Sequence, residues 1–96
     1  MHVRNMTSPT TGRAIPNQFV ITHVEHNPNG EDVCIESFQS YDTLIIERRF
    51  GKVSLDRISW DCSTTTGRYR NQFLGEKKAE TLKKIQSGEY TLTDLN

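Results

Sequence analysis

The spacing of apolar and polar residues changes period along the chain. From Gln18 to His26, QFVITHVEH alternates. Phe19, Ile21 and His23 fall on one side and Val20, Thr22 and Val24 on the other, the period of a strand. Residues 32–38, DVCIESF, alternate again, with Val33, Ile35 and Ser37 against Cys34, Glu36 and Phe38. Asn27-Pro28-Asn29-Gly30 between them is rich in turn formers and predicts a β-hairpin. TLIIERRF (43–50) predicts a third strand, and after Phe50-Gly51-Lys52 a short fourth, VSLD (53–56), follows.

Beyond Cys62 the period becomes helical. Ser63 or Thr64 suits an N-cap, because a hydroxyl there accepts from an orphan N–H. A first helix over Thr64–Leu74 puts Thr66, Tyr69, Arg70 and Phe73 on one side and turns Arg68, Asn71 and Gln72 outward. Gly67 costs about 1 kcal/mol relative to Ala inside a helix and argues for a start beyond it. Gly75 ends that helix. A second helix, Glu76–Ser87, is expected to bury Ala79, Leu82, Ile85 and Gln86, to expose Lys77 and to pair Glu80 with Lys84. Tyr90, Leu92 and Asp94 alternate in a final short strand or extended tail. Residues 1–16 have no period and many Ser, Thr, Pro and Gly, which reads as a flexible N-terminal arm or a strap laid over the sheet, with Ile15 as the anchor that ties it down. The expected architecture is one α+β domain over 17–96. It consists of a three- to four-stranded antiparallel meander followed by two helices packed on one face.

Composition narrows this picture. Only 33% of the 96 residues are apolar, so the core is thin. Trp60, Phe73 and Leu82 are expected to fill it together with Ile35 or Ile45. Apolar runs are too short for a membrane span, and the N-terminus lacks the apolar stretch of a secretory signal. The chain therefore reads as cytoplasmic, without a membrane partner. Its two cysteines, Cys34 and Cys62, read as semi-buried free thiols rather than a disulfide. Net charge is zero, but unevenly spread. Residues 25–47 hold Glu25, Glu31, Asp32, Glu36, Asp42 and Glu47 with no Lys or Arg. Residues 63–84 hold Arg68, Arg70, Lys77, Lys78, Lys83 and Lys84 against two glutamates. Either the two blocks meet and neutralise, or each forms a charged surface that faces a partner.

Several strings carry a further signal: Phe38-Gln39-Ser40-Tyr41, Gly51-Lys52-Val53 with Leu55-Asp56, Trp60-Asp61 with Ser63, Thr65-Thr66-Gly67-Arg68-Tyr69-Arg70-Asn71, Phe73-Leu74-Gly75-Glu76 and Ser87-Gly88-Glu89-Tyr90. Together they resemble a family of small proteins encoded by bacteriophages and other mobile elements, over residues 17–96. The resemblance implies a phage accessory role in the cytoplasm of an infected bacterial host. It carries over no catalytic residues, and it implies that Cys62 stands where an aromatic residue is common. Small phage accessory proteins often bind and block host machinery, including CRISPR and other anti-phage defence systems.

The residues themselves suggest little catalysis and no cofactor. His23 and His26 are three apart on a strand and point to opposite faces, which suits no shared metal. Neither cysteine has an evident base and orienting group. The richest string is Ser63–Gly75. Its hydroxyls, helix N-terminus and arginines suit an anion. The candidate binding residues are Thr64, Thr65, Arg68, Arg70, Asn71, Gln72, Lys77 and Lys78. The acidic strands, from Glu25 to Glu47, form a candidate secondary surface. Three readings follow. The first is a non-enzymatic inhibitor that binds a host protein or ribonucleoprotein complex. The second is a nucleic-acid-binding accessory protein using the basic 63–84 surface, and the third a nucleotide or small-anion sponge.

Overall fold

The structure, a computed structural model, describes residues 1–96. The strands are β1 (His2–Thr7), β2 (Ala14–His26), β3 (Asp32–Ser40), β4 (Thr43–Arg49), β5 (Lys52–Asp56) and, after the helices α1 (Thr64–Leu74) and α2 (Lys78–Ser87), β6 (Tyr90–Thr93). All six form one sheet in the order β1-β2-β3-β4-β5-β6. Neighbours are antiparallel except β5 and β6, which are parallel. This corrects the expected three- to four-stranded meander in two places. The segment read as a flexible arm supplies an edge strand, with Val3 opposite Ile21 and Asn5 opposite Phe19. The C-terminal tail returns as a sixth strand, with Leu55 opposite Leu92. A parallel pair needs a long crossover, and α1 with α2 is that crossover. Neither helix is long and apolar enough to cross a membrane.

Both helices cover one face of the sheet. The cross-strand register lines up Val20, Phe38, Ile46, Leu55 and Leu92 on that face. Phe38, Ile46 and Leu55 are completely buried there, joined by Met6, Ile45, Val53 and Tyr90. A register shift after Phe38 marks a bulge in β4, leaving Ile45 without a partner in β3. The bulge lets two consecutive isoleucines enter one core, which strict alternation forbids. From the helical layer, Trp60, Tyr69, Phe73, Leu74 and Ile85 pack against it. Phe73 stacks on Phe38 with ring centroids 5.9 Å apart.

Two expected core residues lie elsewhere. Ile35 is buried on the opposite face, flanked by His23 and Arg49. Leu82 is exposed, as are Ala79 and Gln86. The inner side of α2 is instead Thr81, Lys84 and Ile85. The cause is polar. The Glu76 carboxylate, nearly buried, accepts hydrogen bonds from Thr81 Oγ1 (2.7 Å), Lys84 Nζ (2.7 Å) and Tyr90 OH (2.9 Å). A buried carboxylate must keep its donors, so it sets the rotation of α2. Lys84 accordingly pairs with Glu76 rather than Glu80. The helix begins at Lys78, past Glu76.

The β4–β5 turn carries strain. Phe50 and Gly51 both have positive φ, 54° and 73°, as a two-residue hairpin turn of matching twist requires. Glycine takes that conformation without penalty, whereas a bulky aromatic does not. Phe50 is 67% exposed, so little packing compensates. Phe50→Asn is expected to raise stability by about 1 kcal/mol, a rise of about 4–8 °C in a domain of this size. A lower melting temperature in Phe50→Asn than in the parent contradicts this reading of the turn.

Candidate functional site

The string from Trp60 to Asn71 folds into a knot around one side chain. Ser63 caps α1: its backbone is extended and its Oγ accepts from the Thr66 amide at 3.0 Å. Thr66, one turn in, is buried, with its hydroxyl 3.3 Å from that of Ser40 on β3. These contacts fix the helix on the sheet. Arg70 then turns inward and is only 2% exposed. Its Nη1 donates to the Trp60 carbonyl (2.8 Å) and to Asp61 Oδ1 (3.2 Å). Its Nε and Nη2 both donate to Asn71 Oδ1, at 3.3 and 3.0 Å. The guanidinium also lies over the Trp60 ring, 5.3 Å from the centroid.

Gly67 belongs to the same knot. A Cβ added there would meet Arg70 Nη2 at 3.4 Å. That is ordinary van der Waals contact, so the packing against Arg70 does not itself require a glycine, and the helix begins before Gly67, at Thr64, despite its poor helix propensity. On the solvent side, Lys78 Nζ reaches Asp61 Oδ2 at 2.6 Å. Lys78 holds the Asp61 carboxyl below its usual range, and Arg70 adds to this against the opposing effect of burial. Gln72, from the outer side of α1, donates to the Thr7 carbonyl at 2.8 Å and fastens the end of β1.

The eight candidate binding residues thus divide. Arg70, Asn71, Gln72 and Lys78 are engaged inside the fold, and Arg70 is no contact residue at all. Arg68, Lys77, Thr64 and Thr65 are exposed, and their side chains have no hydrogen-bond or ion-pair partner. Arg68 stands beside Thr64 and Lys78 at a polar depression of about 650 Å³. The basic block is therefore much less basic in three dimensions than along the chain.

The acidic block is likewise dispersed. Arg49 Nη1 bonds Glu25 at 2.9 Å and its Nε bonds Glu47 at 3.2 Å. Arg48 pairs with Glu36, and Asp32 with His26. Only Glu31 and Asp42 lack a basic partner, and they sit in different turns. Neutralisation comes from the two arginines that end β4, not from the 63–84 block. Glu25 and Glu47 share the open face, while Glu36 lies on the helical face, so the acids form no continuous surface. His23 faces Glu25 at 3.7 Å. Cys34 and Cys62, expected semi-buried, are both exposed free thiols.

Sequence reasoning missed two polar centres. One is Glu76. The other is Asp56, which accepts from the Leu95 and Ser59 amides at 3.0 Å each. Burial pushes both carboxyls up. At Asp56 the amide donors outweigh it, and at Glu76 the donors Lys84, Thr81 and Tyr90 do, so both are held below the ordinary range. The only signal was indirect: each acid stands beside a turn, where a carboxylate finds backbone or hydroxyl donors.

Two outcomes are expected. Arg70→Leu should cost about 3 kcal/mol in urea denaturation, the low end for breaking a buried pair, because Asp61 stays wetted. An unchanged midpoint overturns the knot. Lowered carboxyl pKa values at Asp56, Asp61 and Glu76 stabilise the fold above the unfolded values of about 4. That contribution disappears as pH falls through the lower folded values. Melting temperature should therefore drop on acidification below about pH 4, and Glu76→Gln should show a shallower drop. A melting temperature flat from pH 7 to pH 2 contradicts this.

No curated protein and no solved structure matches the chain. One family model does, over residues 1–89, and that span takes in β1 as well as the helical knot. The chain thus belongs to DUF8033, a family of unknown function.

Proposed function

We propose that this chain is a small non-enzymatic binding protein that docks an acidic surface of a larger protein through Arg68 and Lys77. The observation that carries the reading is the contrast between these two cations and their neighbours. Arg70, Lys78 and Lys84 each face a carboxylate within the fold. Arg68 and Lys77, like Lys83 on α2, face none and are exposed, and Arg68 lies beside the free hydroxyl of Thr64. Exposed cations without an internal partner add nothing to the fold that a neutral side chain would not, and they attract an acidic partner at long range. The resemblance to phage-encoded accessory proteins gives the partner a context. It is a component of host machinery, such as an anti-phage defence complex, which the bound chain blocks. Nucleic acid is the second reading, favoured by the free hydroxyls of Thr64 and Thr65 at the start of α1, beside Arg68.

The test reverses both charges, Arg68→Glu with Lys77→Glu. Melting is expected to stay close to the parent. A host protein retained from nuclease-treated lysate by the parent should be lost by the variant, and association with that purified protein should slow by about tenfold or more. If retention vanishes on nuclease treatment and affinity falls log-linearly with salt, the partner is nucleic acid. If the double variant binds the retained protein as well as the parent does at low salt, the basic surface is not the site.

A further inference from the structure

Arg68 also borders a second depression, on the other side of α1. This groove, about 500 Å³, runs between the β1–β2 loop and the helix. Its volume falls within the range of small-ligand sites, about 300–1,000 Å³. Its apolar lining is Ile15, Tyr69 and Pro9, and its polar rim is Arg68 and Gln72. Ile15 and Tyr69 are half-buried and also pack on the main core, so their outer surfaces are left to solvent. Arg68 is the one charged residue of the lining, and no carboxylate lies in it.

The groove is built in advance of any occupant. Gln72 ties the end of β1 to α1 through the Thr7 carbonyl. The loop is closed by backbone bonds from Ser8 to Arg13 and from Gly12 to Ser8, both 2.9 Å. Ser8 Oγ accepts from the Thr10 and Thr11 amides. A groove already ordered loses little freedom on binding. The polar depression across the helix differs: it has no apolar floor, it contains the Asp61 carboxylate, and of the two arginines that line it, Arg70 is already bonded to Asp61 and Asn71.

We propose that this groove receives an extended acidic–apolar segment of the partner protein, one apolar side chain lying against Ile15 and Tyr69 and a neighbouring carboxylate on Arg68. The proposal deepens the docking reading given above and rests on it for the role of Arg68. Complementarity of charge and surface argues for this occupant. A lone cation beside an apolar floor selects a ligand with one negative group and one greasy group. A nucleotide fits less well, because Tyr69 is the single aromatic face, and Ser63 and Thr64, at the start of α1, line the other depression.

The test uses fragments that carry the two groups. The full chain, labelled with nitrogen-15, is titrated separately with 4-phenylbutyrate, 4-phenylbutylamine and uridine monophosphate. The carboxylate should move the amide signals of Ser8, Ile15 and Tyr69 and bind about two- to fivefold more tightly than the amine, as for an exposed ion pair. Arg68→Gln, at an exposed position, should erase that preference and keep the weaker apolar binding. Equal binding of acid and amine overturns the proposal. So does tighter binding of uridine monophosphate, movement confined to Thr64–Gly67 and Lys78, or a carboxylate titration that never saturates. If the fragments fail while the Arg68/Lys77 reversal still abolishes partner binding, the groove is refuted and the docking surface stands.

Discussion

A single buried cation holds the helical layer in register with itself. Arg70 is placed where an arginine is rarely found, and the knot around it is built to satisfy it. Asp61 supplies charge, Trp60 a carbonyl and a ring face, and Asn71 an amide oxygen. Arginine suits this position because its planar fork donates in several directions at once. Lysine could not reach the Trp60 carbonyl, Asp61 and Asn71 together in that geometry. The loop from Arg57 to Ser63 has no regular secondary structure to define it, and its path is set by donors and acceptors converging on Arg70 and Asp56.

The same principle governs the sheet. The run of acidic residues from Glu25 to Glu47 is largely neutralised by folding. Arg48 and Arg49 point to opposite faces of β4, and each collects the acids of its own face. Arg48 additionally lies over the Phe73 ring, 4.7 Å from its centroid, so it connects sheet and helix as well. Charge segregation in the sequence is therefore a poor guide to the surface here. Pairing across strands, between residues far apart in the chain, cancels most of it.

What the sequence made legible followed from local rules. Alternation located β2 to β5, and capping chemistry located the end of α1 at Gly75, whose φ is 70°, and offered Ser63 or Thr64 for its start, of which Ser63 is the cap although Gly67 had argued for a later start. The unread parts depended on distant contacts. β1 was obscure because Val3 and Met6, its apolar residues, lie on opposite faces and leave no alternating pattern. β6 stood open between a short strand and an extended tail, because a four-residue parallel strand exists only where β5 is waiting for it. The rotation of α2 was misread because Glu76, a polar residue outside the helix, outweighs Leu82 within it. Arg70 was read as a contact residue because cations are seldom buried.

The parallel closure of β6 has a consequence for the order in which the molecule matures. The hairpins joining β1 to β5 are formed by chain neighbours, whereas their apolar cover arrives only with α1 and α2. As the polypeptide emerges during synthesis, Phe38, Ile46 and Leu55 stand on a nearly complete sheet with nothing over them. Such an interval, with apolar surface uncovered and both sheet edges unpaired, is when small β-rich chains are prone to stick to one another. The helical layer that Arg70 fastens and the strand β6 that follows it therefore close this interval together, one covering the apolar face and the other pairing the β5 edge.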